Sequence, residues 1–541
     1  VTSMPPESAL QGLALLQAVE SRVATIRIYA DDYLLPADVT YTVHNEQAFG
    51  LWAVDDPHHQ TTGDLVIAGK LHVTASAGQG YYDWSPISAR PDNSCDLFKV
   101  TQTGEVRVKT DFLGRAYVMM VPNAQPKHIV NEGYIELAAR DEAFAFEHWG
   151  GASVSNSGVI EVTAGADAAA LRLLNGGTLN NTGSIDVFSS GELSDQYSFF
   201  TGVQMLGFGG DFYNYGSITS HVGAAGREST AVIWSIYHGD SQWPDPFRPA
   251  IFINAGRLEG VYALKATSDA YGPDYSREPW TETFTNSGVM AGKVSLGGSY
   301  ATLMNSGRIT GAVDLGAGGD VYDGVLGRAD SSVYGADGAD TLRGGAFSDS
   351  LFGDAGDDRI EGGDSADLLR GGEGDDLIRG GAGFDDTHGN QGNDTISGEG
   401  GPDWVVGGQG HDMLVGDDGD DVVYGNLGND TCVGDSGRDW VRGGQGDDSL
   451  SGGEDNDFMS GDRGNDTIYG GQGADRFNTF ADAGIDRVMD FDSTQGDRVH
   501  FEGATTYTLR FQGGDTVIDM TGGGQMILVG VSEASLGVWL A

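Results

Sequence analysis

The stretch Gly371-Gly-Glu-Gly-Asp-Asp-Leu-Ile-Arg379 runs without a gap into Gly380-Gly-Ala-Gly-Phe-Asp-Asp-Thr-His388, and the same nine-residue pattern continues from Gly335 to Asn478. Glycine always occupies the first position and aspartate always occupies the sixth. The sixteen aspartates recur at a strict interval of nine and are Asp340, Asp349, Asp358, Asp367, Asp376, Asp385, Asp394, Asp403, Asp412, Asp421, Asp430, Asp439, Asp448, Asp457, Asp466 and Asp475. A register kept this long indicates one structural unit repeated along an axis.

Each residue type in the repeat has its own role. Glycine permits the positive φ and close approach of a tight turn, and the eighth residue begins a short strand with its side chain pointing inward. That eighth position is apolar except at Thr387, and it is aliphatic elsewhere apart from Cys432, Met459 and the aromatic Phe477. Two nonapeptides make one coil, so we predict about eight coils stacked at roughly 4.8 Å in a parallel β-roll.

The aspartates place a hard carboxylate oxygen in every turn, which is the type of ligand that Ca2+ prefers. Carboxylates stacked about 5 Å apart repel by roughly 3 kcal/mol at an effective dielectric constant of 20, so the roll should not fold without cations. At a free Ca2+ concentration about ten times Kd, each ion adds roughly 1.4 kcal/mol of stability. We therefore predict that the sixteen aspartates bind several Ca2+ ions between adjacent coils. The alternative for an acidic, glycine-rich stretch is a disordered tail.

Three repeats depart from the pattern at the position two residues before the aspartate. Phe347, Ser365 and Asp455 replace glycine there. Because glycine suits the positive φ of a turn best, the calcium sites beside these residues are expected to be weak or empty.

This pattern, GGxGxDxUx with U a large apolar residue, resembles the nonapeptide of RTX (haemolysin-type) proteins. The tail that follows, from Asp490-Phe-Asp-Ser-Thr-Gln-Gly-Asp to the final Val538-Trp-Leu-Ala541, resembles the cap and uncleaved secretion signal of such proteins. The resemblance implies export from a Gram-negative bacterium through a type I ABC exporter, then folding on external calcium. It places the protein outside the cell or on its surface.

The charge of the chain agrees with such a location. It has 79 acidic and 30 basic residues, a net charge of −49, and residues 331–480 hold 33 acidic against 8 basic side chains. Nucleic acid and anionic membranes are therefore poor partners. No apolar run is long enough for a transmembrane segment. The first residues lack the pattern of a secretory signal, so we expect either that export is signalled elsewhere or that the chain has already been trimmed. Two cysteines, Cys95 and Cys432, are too few for a disulfide framework.

The upstream half carries a looser repeat of Asn-x-Gly followed by one residue and then an apolar side chain. Its asparagines are Asn131, Asn156, Asn181, Asn214, Asn254, Asn286 and Asn305. Between Asn156 and Asn181 the segments 159–162, 168–173 and 177–179 each read as a short strand. Three strands in a coil of 25 residues predict a parallel β-helix, with stacked Asn side chains forming a ladder. A helical period over Ala9–Val19 predicts a short capping helix.

The longer coils of this β-helix must carry insertions, and these are rich in aromatic residues. Insertions at equivalent positions of stacked coils emerge on one face, where exposed aromatic side chains suit sugar stacking or a protein contact. The alternative is that they fold back over the flank of the solenoid. The candidates for a partner or glycan contact are Trp234, Tyr237, Trp243, Tyr271, Tyr275 and Trp280.

Motifs for catalysis are few. The sequence contains neither the HExxH of zinc proteases nor the G-x-S-x-G of lipases. The fragment Asp55-Asp-Pro-His-His59 is similar to an Asp-Pro-His element of mannuronan epimerases, which also join a β-helix to RTX repeats, but it lacks the preceding Tyr-Gly. No catalytic residue is assigned, and the sequence favours a protein that is not an enzyme.

Two classes of function remain. The first is a calcium-binding structural protein that assembles with itself as an S-layer, filament or adhesin, since RTX-type S-layer proteins of Alphaproteobacteria have a similar arrangement. The second is a secreted lyase, epimerase or binding module for polysaccharide. The predicted all-β architecture has an N-terminal cap (1–60), a parallel β-helix (61–317), a connector (318–334), the calcium roll (335–480) and a C-terminal cap with the export signal (481–541).

Overall fold

A computed structural model describes residues 26–28, 32–35, 40–45, 51–53, 63–75, 81–84, 87–89, 95–110, 113–121, 128–148, 152–174, 177–190, 200–207, 210–221, 229–237, 251–269, 282–297, 300–503 and 505–540. Within these ranges every helix or strand element is a β-strand, and nearly all pairings are parallel. The prediction of an all-β chain built from a parallel β-helix and a parallel β-roll is confirmed. The predicted capping helix over Ala9–Val19 lies outside the described residues.

The chain divides into two compact units. Residues 1–299 and 307–311 form the N-terminal unit, and residues 300–306 and 312–541 form the C-terminal unit. The predicted boundaries at residues 60, 317, 334 and 480 stay predictions. Residues 318–334, predicted as a connector, contain the strands Val321–Asp323 and Arg328–Ala329, and Val321–Asp323 pairs in parallel with Thr341–Arg343.

Coils of the N-terminal unit have three strands, and each strand pairs in register with the equivalent strand of the next coil. Ser153–Asn156, Val159–Ala164 and Ala168–Leu174 form one such coil. Alternate side chains of Val159–Ala164 are buried, because successive residues of a strand point to opposite faces. Apolar residues at alternate positions therefore fill the interior of the stack.

Three faces result from this stacking. The first contains Asp32–Leu35, Gly63–Ile67, Cys95–Val100, His128–Asn131, Ser153–Asn156, Thr178–Asn181, Asp211–Asn214, Phe252–Asn254 and Glu282–Asn286. The second contains Thr40–Asn45, Lys70–Ala75, Glu105–Thr110, Tyr134–Ala139, Val159–Ala164, Ser184–Ser189, Ser217–His221, Arg257–Asp269, Val289–Ser295 and Arg308–Ile309. The third contains Ile26–Ile28, Leu51–Ala53, Tyr81–Trp84, Ile87–Ala89, Leu113–Val121, Glu142–His148, Ala168–Leu174, Phe200–Gly207 and Ser229–Tyr237.

The asparagine ladder predicted for this unit is present at the end of the first face. Nδ2 of Asn156 donates to Oδ1 of Asn181 at 2.7 Å, and Asn181 donates in turn to Asn214 at 2.8 Å. The same bond joins Asn131 to Asn156, Asn214 to Asn254, and Asn254 to Asn286. These amides are buried, so each bond offsets the cost of removing a polar group from water. Asn305 belongs to the C-terminal unit, where its Nδ2 donates to the Arg328 carbonyl at 3.3 Å.

Coils of the C-terminal unit have two strands and repeat every eighteen residues. Leu369 pairs with Thr387, and Thr387 pairs with Val405, so the predicted two nonapeptides per coil are confirmed. Every residue at the eighth position is almost fully buried between the two sheets, Cys432 among them. Outward residues flank it on both sides, which gives each strand its alternating pattern.

The strands of this unit form two stacks. One contains Val313–Asp314, Arg328–Ala329, Val333–Asp337, Ser350–Ala355, Leu368–Glu373, Asp386–Gln391, Trp404–Gln409, Val422–Leu427, Trp440–Gln445, Phe458–Arg463, Arg476–Thr479 and Arg498–Phe501. The other contains Ala301–Asn305, Val321–Asp323, Thr341–Arg343, Arg359–Asp364, Leu377–Ala382, Thr395–Gly400, Met413–Asp418, Thr431–Ser436, Ser449–Glu454, Thr467–Gln472, Ile485–Val488 and Gln525–Leu528. At the C-terminus Tyr507–Gln512, Asp515–Met520 and Gln525–Leu528 form an antiparallel meander.

Candidate calcium sites

The turns between strands depend on a fixed pattern of backbone conformations. The second position of the repeat, such as Gly372 at φ 131°, and the fourth, such as Gly374 at φ 124°, lie in the positive-φ region. Where the second position is not glycine it is mostly Asp or Asn, as at Asn390 with φ 81°, and these residues tolerate that region best. The sequence therefore folds most nonapeptides into the same turn and brings their sixth residues to equivalent places.

The aspartates stack in two rows, one along each edge of the roll. Oδ1 of Asp358 accepts the backbone N–H of Asp340 at 2.7 Å, and Oδ1 of Asp376 accepts that of Asp358 at 2.8 Å. Equivalent bonds, each between aspartates eighteen residues apart, continue to Asp466 in this row and from Asp349 to Asp475 in the other. Half of each carboxylate is thus used to join one coil to the next.

The second oxygen of each carboxylate is left without a partner. Oδ2 is buried and accepts no hydrogen bond from the described residues in all of the sixteen aspartates except Asp349. A buried, unpaired carboxylate oxygen is costly, and such an atom repeated along both rows requires a cation or a proton. The arrangement fits bound Ca2+.

Backbone carbonyls lie beside these oxygens. A Cβ placed on Gly380 would lie 2.6 Å from Oδ2 of Asp385 and 2.6 Å from the carbonyl oxygen of Gly398, the equivalent glycine one coil later. The first glycine of the repeat therefore leaves open a small space lined by oxygen. No cluster of three or more acidic, histidine or cysteine side chains that could hold a metal is found among the described residues. The aspartates and the turn carbonyls would hold Ca2+ together, as oxygen ligands suit this ion.

Burial has a strong effect on the acidity of the two rows. Burial first, and then the charges of Asp394 and Asp358 in the adjacent coils, raise the pKa of Asp376 to about 8. The same causes raise the pKa of Asp403 to about 8, with Asp385 and Asp421 as the neighbours. Without a cation these carboxyls are stable in the roll only when many of them are protonated. Ca2+ and protons thus compete for the same oxygens.

Asp349 is the exception and lies in the turn of Phe347. Neither Gly345 nor Phe347 has the positive φ that every other turn has at its second position and that every other turn except that of Gly419 has at its fourth. The turn instead directs the Gly345 N–H to Oδ2 of Asp349 at 2.9 Å, which satisfies the oxygen that other aspartates leave unpaired. This supports the expectation of a weak site at Asp349.

The other two departures from the repeat behave differently. Ser365 and Asp455 keep the positive φ of the glycines they replace, at 78° and 73°. The aspartates that follow, Asp367 and Asp457, keep the unpaired Oδ2. The backbone of these turns therefore gives no reason for weak calcium binding.

Three further aspartates extend the rows beyond the repeats. The backbone N–H of Asp320 donates to Oδ1 of Asp340 at 2.6 Å, and that of Asp475 donates to Oδ1 of Asp497 at 3.1 Å. Asp486 stacks next to Asp466. Sequence reasoning missed all three because their spacings to the neighbouring ladder aspartate are 20, 22 and 20 residues. These aspartates still share one feature with the repeat, since each lies two residues before a buried side chain. Those side chains are Tyr322, Val499 and Val488.

The predicted aromatic contact is wrong for Trp234. Its side chain is only 3% exposed and packs inside the N-terminal unit, with its ring centroid 5.6 Å from that of Phe252 and 6.5 Å from that of Phe284. Trp234 lies in the strand Ser229–Tyr237, where it points inward, and not in an insertion. Tyr237 ends the same strand, but its side chain is outside the described part of the chain. So are Trp243, Tyr271, Tyr275, Trp280 and the fragment Asp55–His59.

No helix among the described residues is long and apolar enough to cross a membrane. No curated protein matches the chain. The family profile described as "RTX calcium-binding nonapeptide repeat (4 copies)" matches it in overlapping segments at residues 334–369, 352–387, 361–396, 388–423, 397–432, 406–441, 424–459, 433–468 and 452–479. Such repeats bind multiple Ca2+ ions, and proteins that carry them are typically secreted by Gram-negative bacteria. Residues 334–479 are therefore haemolysin-type RTX calcium-binding repeats.

Proposed function

We propose that this protein is a secreted structural protein of the cell surface or extracellular matrix, which folds on external Ca2+ and assembles with other copies of itself. The observation that carries the proposal is the pair of aspartate rows with buried, unpaired Oδ2 atoms. They couple the folding of a long, regular solenoid to Ca2+. The aspartates of both rows, from Asp340 to Asp475, are the proposed ligands, and the weakest site is expected at Asp349.

The calcium dependence supports folding outside the cell. Extracellular calcium modules have Kd values of about 10⁻⁴ to 10⁻³ M, far above cytosolic calcium. The chain would thus stay unfolded until it passes a type I exporter, which we propose as its route of secretion, and fold after release. The stacked carboxylates supply the reason, since they repel one another until cations bind.

The composition of the turns supports assembly between copies. Aspartates also occupy exposed fifth positions, such as Asp357, Asp375 and Asp447 along one edge. Their carboxylates accept backbone N–H groups from the next coil and keep further lone pairs free for cations. Ca2+ bound at these exposed aspartates would bridge two solenoids, while without Ca2+ the net charge of −49 keeps the copies apart.

A titration of Ca2+ into chelated protein tests the proposal, with circular dichroism and light scattering recorded together and the endpoint imaged by electron microscopy. We expect the β signal to rise near millimolar Ca2+, followed by scattering, with regular sheets or filaments on the grid. A chain that gains β structure and stays monomeric at every Ca2+ concentration would contradict assembly. Calcium binding by the roll would stand in that case.

A second candidate function is polysaccharide binding, favoured by an apolar stripe on the outer face of the roll. Trp404, Val422, Trp440 and Phe458 occupy equivalent positions of consecutive coils. The two tryptophans are 49% and 55% exposed, and the rings of Trp440 and Phe458 are 4.9 Å apart. Flat aromatic faces in a row suit stacking on sugar rings.

Binding of the protein to purified surface polysaccharide in Ca2+ tests this second function. The double variant W404A/W440A should lose most of the affinity, whereas M413A, which removes an equally exposed apolar side chain from the other sheet, should keep it. Equal binding by both variants would exclude the stripe as a glycan site. Release of reducing ends or unsaturated uronates would instead indicate an enzyme.

A further inference from the structure

The carboxyl pair of Asp466 and Asp486 lies where one aspartate row continues beyond the nonapeptides. Asp466 belongs to the last nonapeptide of its row, but Asp486 lies beyond residue 479, where the match to the repeat family ends. Asp486 begins no repeat, and its strand Ile485–Val488 belongs to the segment after the roll.

The backbone around Asp486 nevertheless keeps the geometry of a calcium turn. Gly484 has φ 118° and bridges to Gly464, the glycine two residues before Asp466. The N–H of Arg487 donates to the Asp466 carbonyl at 2.8 Å, just as the N–H of Thr467 donates to the Asp448 carbonyl at 2.9 Å. The segment around Asp486 therefore adopts the turn of a nonapeptide, although its sequence does not match the repeat.

The side chain of Asp486 is buried and unsatisfied. It is 1% exposed, and neither of its two oxygens has a hydrogen-bond partner of ordinary geometry among the described residues, although the Asp466 carboxyl and N–H lie close by. Oδ2 of Asp466 is unpaired as well. The other charged groups that act on this pair, Asp447 and Asp462, are also acidic. Three buried carboxylate oxygens without an ordinary hydrogen bond thus belong to this one pair.

We propose that Asp466 and Asp486 bind a calcium ion outside the nonapeptide block, and that this ion fastens the C-terminal strands to the last turn of the roll. Oxygen donors at a buried, doubly acidic position suit Ca2+. Asp486 is well placed for the second role, because its strand pairs on one side with Thr467–Ile468 of the roll. On the other side the strand pairs with Gln525–Leu528 of the C-terminal meander.

The chain offers a matched control at the end of the other row. Asp497 also follows the repeats and is 3% exposed. Its Oδ1 accepts the Asp475 N–H at 3.1 Å and its Oδ2 accepts the Asp492 N–H at 2.7 Å. Both oxygens are therefore satisfied without a metal, and Asp497 should bind no ion of its own.

Native mass spectrometry of the full chain in saturating Ca2+ tests the proposal by counting bound ions. D486N should bind one ion fewer than the wild type, while D497N should bind the same number. Hydrogen exchange should show lost calcium protection at residues 485–488 and 525–528 in D486N alone. An unchanged ion count in D486N would overturn the proposal. The test does not depend on whether copies of the protein assemble, because the ions bound by the nonapeptides are counted in the wild type, in D486N and in D497N.

If D486N does not fold in Ca2+, D486E takes its place, since it keeps the carboxylate on a longer side chain. Protection of residues 485–488 should then require more Ca2+ than in the wild type, while the midpoint for residues 368–445 stays the same. Unchanged midpoints for both segments in D486E would contradict an ion at this position.

Discussion

Replacement of Gly380 by alanine tests the geometry of one calcium site. The added Cβ would lie 2.6 Å from both Oδ2 of Asp385 and the carbonyl oxygen of Gly398, so it would occupy the space lined by the ligand oxygens. The backbone of Gly380 does not have positive φ, and steric filling is the main effect. Overpacking costs about 1–3 kcal/mol, and loss of one ion costs roughly 1.4 kcal/mol at ten times Kd. G380A should lose about 2–4 kcal/mol of stability in Ca2+.

Gly400 provides the control in the equivalent turn one coil later. A Cβ there would meet only the carbonyl oxygen of Gly381, at an unstrained 3.8 Å, and its φ is not positive. Chemical denaturation of both variants in saturating Ca2+, with ions counted by native mass spectrometry, gives the comparison. We expect G380A to lose one ion and G400A to match the wild type. Equal stability and equal ion counts in the two variants would refute the placement of calcium beside the first glycine.

Three further predictions follow from the two rows and from the asparagine ladder. In chelator, the roll should be more stable at pH 5 than at pH 8. Burial raises the pKa of Asp376 to about 8, from about 4 in the unfolded chain. The contribution of Asp376 to the free energy of unfolding is therefore complete below about pH 4 and is lost as the pH rises toward 8. Circular dichroism against pH checks this, and an apo roll most stable at pH 8 would contradict it. D367N should lower the number of bound ions in native mass spectrometry, whereas D349N should not, because Oδ2 of Asp349 already accepts a backbone N–H. Loss of the same number of ions in both variants would contradict the difference between the two sites. N181A breaks the buried asparagine ladder and should destabilise the N-terminal unit by about 1–3 kcal/mol in thermal denaturation. N180A, at an exposed position of the same strand, should have little effect. Similar melting curves for the two variants would exclude a structural role for the ladder.

The repeats could be predicted from the sequence because their register is encoded residue by residue. An aspartate every nine residues with an apolar side chain two positions later, as at Asp376 and Ile378, permits only one stacking. The asparagine ladder could be predicted for a similar reason, since equivalent corners of successive coils must lie above one another. Fold and principal ligands thus follow from periodicity alone.

The aspartates that extend the rows beyond the repeats could not be predicted in that way. Asp320, Asp486 and Asp497 join the rows although the spacing changes to 20 or 22 residues, because the strands that follow them stay in register with the roll. Phe347 gave a local reason to expect a weak site at Asp349, but the hydrogen bond from the Gly345 N–H to Oδ2 of Asp349 depends on the conformation of that turn. Periodicity fixes the stack and leaves such local rearrangements open.

Trp234 shows a different limit of sequence reasoning. An aromatic residue in a long coil suggested an exposed insertion, but the strand Ser229–Tyr237 directs it inward against Phe252. Successive residues of a strand point to opposite faces, so a shift of one residue in the assumed strand position reverses exposure and burial. The sequence identified an aromatic-rich region and not the face that each side chain occupies.

Calcium-dependent folding of the roll is the central claim, and segment-resolved hydrogen exchange of the full chain at pH 8 tests it most directly. Exchange is measured in chelator and at increasing Ca2+, and the number of bound ions is counted at each step. The account predicts that residues 335–478 exchange freely in chelator and become protected together as several ions bind. Full protection of those residues in chelator at pH 8, unchanged by Ca2+, would contradict it.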